Sequence, residues 1–158
     1  MTWDGDRRFE RIFEFGRTAG EPPNEKIGSS FFLSPAYDDG GGARVHFRSA
    51  TGDNTRLFAS LRFPAGTPVH VVVVLDGSAH SLALYLDGEP AGAVAWAQPL
   101  ASLQSDNAWL GRSQHEGDPF LAGSFDEFRI YSVALSAAQI ESNHARGPDR
   151  LAERRPPL

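Results

Sequence analysis

Several places in the sequence bring together side chains able to do acid–base, metal or binding chemistry. Asp126 and Glu127 are adjacent carboxylates within the run GSFDEFRIY. His115, Glu116 and Asp118 share the short stretch HEGD, and Asp38 and Asp39 precede three glycines. Glycoside hydrolysis needs two carboxyls on one face, about 5 Å apart for the retaining reaction. Neighbouring strand residues point to opposite faces, so Asp126 and Glu127 cannot form that pair. The DDGGG run lacks the ligand spacing of an EF-hand loop and reads as a solvated hairpin tip. His70 has no second histidine at metal-ligand spacing and reads as a packed residue with one satisfied nitrogen. There is no cysteine and no G-x-S-x-G, so a thiol nucleophile is excluded and a serine nucleophile has no motif behind it. The expectation is a protein that is not an enzyme.

Binding chemistry has more material. A sugar site needs an aromatic platform and polar groups for ring hydroxyls. Tyr37, Trp96, Trp109 and Trp3 are the available platforms, each with core packing as its alternative. His115 and Asp118 could line such a site from their loop, or could sit in a plain exposed connection.

Asp126 is the sharpest oddity. Strand alternation through 123–131 places it with Phe128 and Ile130, while Glu127, Arg129 and Tyr131 take the other face. A carboxylate on an apolar face needs a cation, a set of backbone amides or a metal. Arg129 is excluded by parity, which leaves Arg11, Arg44 or Arg112 as side-chain cations.

The elements that must position these groups are mostly strands. Periodicity and turn residues predict strands over Phe9–Phe15, Ile27–Leu33, Arg44–Arg48, Arg56–Phe63, Val69–Leu75, Leu82–Leu86, Ala91–Trp96 and Asn107–Arg112, with a closing strand over 123–131. In the first, Phe9, Phe13 and Phe15 share one side and Glu10 and Glu14 the other. Val69–Leu75 is apolar apart from His70 and suits a central strand buried on both faces. Asp87-Gly88 after the Leu82, Leu84, Leu86 alternation is a hairpin signal. One helix is expected, from Ser136 to about Arg146. Ser136 and Gln139 have the spacing of a capping box, and Leu135 and Ile140 that of a hydrophobic staple.

The run FDEFRIYSVALSAAQI resembles the closing motif of laminin-G-like jelly-roll domains in the concanavalin A-like lectin/glucanase superfamily. FERIFEFG with FFLSP, the hairpin PVHVVVVLDG…LALYLDGE and NAWLGR are similar to the same family. The resemblance, which covers roughly Phe9 to Ile140, implies an all-β, antiparallel two-sheet jelly-roll sandwich with one short C-terminal helix; the domain is expected over residues 1–147, and the tail at 148–158, which lacks apolar periodicity, is expected to be disordered. The chain departs from the family pattern in having only eight residues before Phe9, where two or three further strands are usual, and so reads as a fragment, a reduced variant or half of an assembly. An edge left open by that loss would be covered by a second copy or a neighbouring domain. For function, it implies a non-catalytic binding or adhesion module for carbohydrate within a larger extracellular protein. A structural or protein-interaction domain is the alternative, and a glycoside hydrolase is less favoured. In similar domains the aspartate matching Asp126 helps hold a structural calcium, which would need loop carbonyls and water to complete six to eight oxygens.

Composition agrees with this and excludes other classes. The 158 residues fit one domain, and 16 Gly, 11 Pro and 11 Phe suit a turn-rich β protein. A net charge of −5 argues against a nucleic-acid partner. No apolar window is long enough for a membrane helix. The first fifteen residues carry charges with no apolar run behind them, so they do not read as a signal peptide.

Overall fold

The computed structural model describes residues 1–5, 7–19, 26–37, 42–59 and 61–149. Ten strands alternate with turns among them: β1 (Thr2–Trp3), β2 (Phe13–Ala19), β3 (Lys26–Ser34), β4 (Arg44–Arg48), β5 (Asn54–Phe58), β6 (Val71–Asp76), β7 (Ser81–Leu86), β8 (Glu89–Ala95), β9 (Asn107–Leu110) and β10 (Gly123–Ser124). A 3-10 turn spans Leu100–Leu103 and one α-helix, α1, spans Ala137–Arg146. All strand pairs are antiparallel. One sheet has the order β5-β4-β3-β2-β9, the other β6-β7-β8, and β1 with β10 forms a short ribbon. The architecture is a jelly-roll sandwich.

Alternation builds the core. On β4, Val45 and Phe47 point inward, opposite Leu33 and Phe31 of β3 and Leu57 and Thr55 of β5. On the facing sheet Leu82 and Leu84 lie in register with Leu75 and Val73. Gly92 of β8 leaves room for Leu57, whose Cδ1 would stand 3.1 Å from an added Cβ. These side chains join Trp3, Ile12, Phe63 and Trp96 in one buried cluster. The β7–β8 turn takes positive φ at Asp87 and Gly88, as a two-residue hairpin requires.

Helix α1 follows its sequence signals. Ser136 Oγ accepts from the Gln139 amide, and Gln139 Oε1 accepts from the Ser136 amide. Ile140 is fully buried, and Glu141 and His144 approach the β7–β8 turn within 3.5 Å of a Cβ built at Gly88.

Several expected elements differ. The first strand begins at Phe13, not Phe9, because the preceding residues are fixed by side-chain bonds. Phe9 adopts φ 65°, and Arg11 Nη1 donates to its carbonyl. The strand expected over Arg56–Phe63 is β5 and ends at Phe58. Among the described residues β6 is an edge strand of its sheet, not a central one, with β7 as its one ladder neighbour. The closing strand pairs only at Gly123–Ser124, against β1. From Phe125 onward the segment has no ladder partner among the described residues, so the phase expected to place Asp126 on an apolar core face does not hold. Ile130 is 76% exposed and Phe128 40%. The glycine-rich turn after Tyr37 and most of the C-terminal tail lie outside the described residues.

Candidate functional site on the outer face of the five-stranded sheet

The alternation that buries Val45 and Phe47 sends Arg44, His46 and Arg48 to the opposite face. Register then sets Arg44 beside Phe58, His46 beside Arg56 and Arg48 beside Asn54, with Ser34, Phe32 and Ser30 on the β3 side. The Arg44 guanidinium carbon lies 3.7 Å from the Tyr37 ring centroid and 5.2 Å from that of Phe58. Stacking of this kind holds a guanidinium in one plane while leaving its N–H edge available. Arg44 is only 6% exposed, and its Nε, like that of Arg48, has no hydrogen-bond partner. Burial, then the nearby positive charges of Arg56 and Arg11, weakens the hold of Arg44 on its proton, against raising effects from Tyr37. No ion pair joins Arg44, Arg48 or Arg56 to a carboxylate among the described residues. Phe58 is 56% exposed beside them.

His46 is different in kind. Its Nε2 donates to Asn54 Oδ1 at 2.9 Å, and its ring meets Phe32 edge-on at 5.1 Å. Burial above all, with Arg44 and Arg56 adding to it, lowers its pKa to about 4. It is neutral at physiological pH.

The acidic residues nearby are committed to structure. Glu10 and Glu14 are fully buried. Glu10 accepts from Trp3 Nε1 and from the Ala122 amide. Glu14 accepts from Arg11 Nε and from the backbone and side-chain nitrogens of Gln114. Asp118 accepts from Arg11 Nη2 and Ser113 Oγ. This network straps the 112–118 loop over the β2 end of the sheet and leaves the β4–β5 end as the open part.

The structure does not assemble the residues singled out from the sequence. Tyr37 lies at the arginine face. Trp96 is 3% exposed and packs edge-on against Phe47, so its ring presents no platform. Trp3 is buried likewise. Trp109 is half-buried on β9, with the Arg112 guanidinium 4.3 Å over its ring. It flanks Glu14 at the opposite edge of the sheet from Phe58. His115 is exposed in the loop, while Asp118 is a structural anchor. Asp126 is 58% exposed, and its partner is the Met1 ammonium at 3.6 Å rather than an arginine. One exposed carboxylate is a poor match to calcium's six to eight oxygens. Among the described residues no group of three or more His, Asp or Glu is arranged for a metal ion. Arg56 and Phe58 were not singled out, and Arg44 only as a possible partner of Asp126, although the β4 alternation already placed Arg44 and Arg48 on one face.

A shallow groove of about 320 Å³ runs between Tyr131, Leu135 and α1. It is framed by the helix and the segment leading into it and does not adjoin the arginine face.

A laminin G-type family model, described as Concanavalin A-like lectin/glucanases superfamily, matches residues 5–141, and the chain belongs to this family. No curated protein matches it. Among solved structures it is similar to residues 221–444 of an S-layer domain-containing protein from Clostridium thermocellum. That match has 24% identity, a TM-score of 0.45, and covers 87% of this chain and 64% of that one. The chain thus spans less than two thirds of that structure. It is also similar to a native heptameric SAP-like pentraxin from Limulus polyphemus, at 14% identity and TM-score 0.53, over 89% of this chain and 78% of the pentraxin. The pentraxin shares the jelly-roll fold. No helix among the described residues is long and apolar enough to cross a membrane.

Proposed function

We propose that this domain is a non-catalytic binding module for carbohydrate, part of a larger surface or extracellular protein, and that its ligand carries acidic groups. The observation that carries this reading is the row of Arg44, Arg48 and Arg56, without an ion-pair partner among the described residues, beside the exposed ring of Phe58, in a chain of net charge −5. A guanidinium fork matches a carboxylate or sulfate, and an aromatic face takes the apolar side of a sugar ring. The rings of Tyr37 and Phe58 stand ready for the second role while holding Arg44 for the first. The non-catalytic part is supported by the buried Glu10 and Glu14 and the partly buried Asp118, each engaged by donors that fix structure.

Calorimetric titration with polygalacturonate, hyaluronan and neutral dextran tests the reading. Binding to an acidic polymer, absent for dextran and weakened by added salt, is expected. Arg56→Ala and Phe58→Ala, both exposed positions, should each reduce affinity about tenfold, the loss of roughly 1.4 kcal/mol. Absence of binding to any acidic polymer, or binding indifferent to both variants, would overturn it.

A further inference from the structure

Nothing near His70 in the sequence pairs with it, but the fold brings His144 alongside. His70 directly precedes β6. Its amide donates to Asp87 Oδ1 and its carbonyl accepts from the Asp87 amide, both at 2.8 Å, which ties it to the β7–β8 turn. His144 lies in the last turn of α1 and packs on the same turn, its Cβ and Cδ2 standing 3.5 Å from a Cβ built at Gly88. The two imidazole centroids are 5.6 Å apart.

The donors of this pair are unclaimed. Among the described residues neither ring makes a hydrogen bond, and Nδ1 of His70 is buried without a partner. A buried ring nitrogen left in this state costs stability until something binds it. Burial first, then the charge of His144, lowers the pKa of His70; the Met1 ammonium adds to this, against Asp87 and Glu127. The ring is therefore neutral at pH 7, the form that offers a lone pair to a metal. The separation fits as well. An ion about 2.0–2.1 Å from one nitrogen of each ring, at an angle near tetrahedral, sets the ring centroids about 5–6 Å apart. The surroundings favour a cation. Asp87 and Glu127 act on the His70 ring, and Glu141, one helical turn before His144, has no ion pair among the described residues. The last turn of a helix adds its own negative pole.

We infer that His70 and His144 form a binding site for a divalent transition ion of the zinc class, which clamps the end of α1 to the β7–β8 hairpin. The protein supplies two imidazoles and water completes the shell. With fewer than the three protein ligands of a catalytic zinc centre, the site is an exchangeable one. Imidazole nitrogen suits zinc, nickel and copper, whereas calcium and magnesium take oxygen. The site lies by the three-stranded sheet and shares no residue with the arginine face, so its failure and the failure of carbohydrate binding are read separately.

The test is calorimetric titration of the full, untagged chain with zinc chloride at pH 7, with thermal melts alongside. One zinc per chain is expected. At a zinc concentration about a hundredfold above Kd, the melting temperature should rise by about 5 °C or more, and chelator should reverse the rise. His144→Ala, at an exposed position, should weaken binding at least tenfold while melting like the natural protein in chelator. His70→Gln should weaken binding by at least as much, and His115→Ala should leave it unchanged. No binding of zinc up to millimolar concentration, binding that survives His144→Ala, or an equal rise in melting temperature with calcium would overturn the clamp.

Discussion

Arg11 donates to Asp118 Oδ2 at 2.8 Å, joining positions 107 residues apart through a guanidinium that is almost wholly buried. The same guanidinium donates to Glu14 and lies 4.0 Å over the Phe32 ring. Removing Asp118 leaves Arg11 Nη2 buried without its acceptor and Glu14 as the one remaining carboxylate on that guanidinium among the described residues. Asp118→Ala should therefore destabilise the fold by about 2–4 kcal/mol, and Asp118→Asn by less, because it keeps an acceptor for Ser113. Urea unfolding measures both. A cost under about 0.5 kcal/mol for the alanine variant would mean that the loop is held by something else.

His46 makes stability depend on pH. Its folded pKa is about 4 and its ordinary value 6.5, with burial the main cause. The folded state holds a neutral ring while the unfolded chain takes up a proton below pH 6.5. The contribution is fully present above 6.5 and is lost as pH falls towards 4, where the folded state protonates too. Its full size is about 3 kcal/mol. His70 is shifted in the same direction, by burial and then by His144, 5.6 Å away ring to ring. Unfolding free energies at pH 7, 5.5 and 4.5 should fall more steeply for the natural protein than for His46→Gln. Parallel curves would refute this.

The capping box gives a local prediction. Ser136→Ala removes the acceptor for the Gln139 amide and should cost about 1 kcal/mol. Ser136→Asp should retain most of the stability, since a carboxylate caps equally well. Thermal melts followed by circular dichroism distinguish the two.

Asp126 is exposed, and its ion-pair partner among the described residues is the Met1 ammonium. Asp126→Ala should shift stability by less than about 0.5 kcal/mol, as exposed ion pairs do. Calcium at millimolar concentration should leave the melting temperature of the protein unchanged. A calcium-dependent rise that Asp126→Asn abolishes would establish an ion there.

Fold class was legible because alternation and turn chemistry act locally. The Leu82, Leu84, Leu86 pattern with Asp87-Gly88, and Ser136 with Gln139, each carry their structure within a few residues. What the sequence could not show was which neighbour a strand would find. Val71–Asp76 is apolar enough for a central strand, but centrality depends on a partner on both sides, and that is a property of the assembled sheet. The same limit applies to FDEFRIY: its alternation is real, yet without a ladder it sets no burial. Glu10 and Glu14 looked like the solvated side of a strand and are fully buried, because loop residues roughly a hundred positions later cover them. On the arginine face, Arg44, His46 and Arg48 already alternated. Their meeting with Arg56 and Phe58 depended on the register of the next strand.

The reach of those two glutamates bears on how the protein is made. Glu10 receives the amide of Ala122, 112 positions later, and Glu14 that of Gln114, 100 positions later. A ribosome adding about 5–20 residues per second leaves each carboxylate waiting on the order of 5–20 s for its donors. Until then neither carboxylate can make the bonds that satisfy it in the folded domain. That end of the sandwich therefore cannot reach its final network before most of the chain has been synthesised.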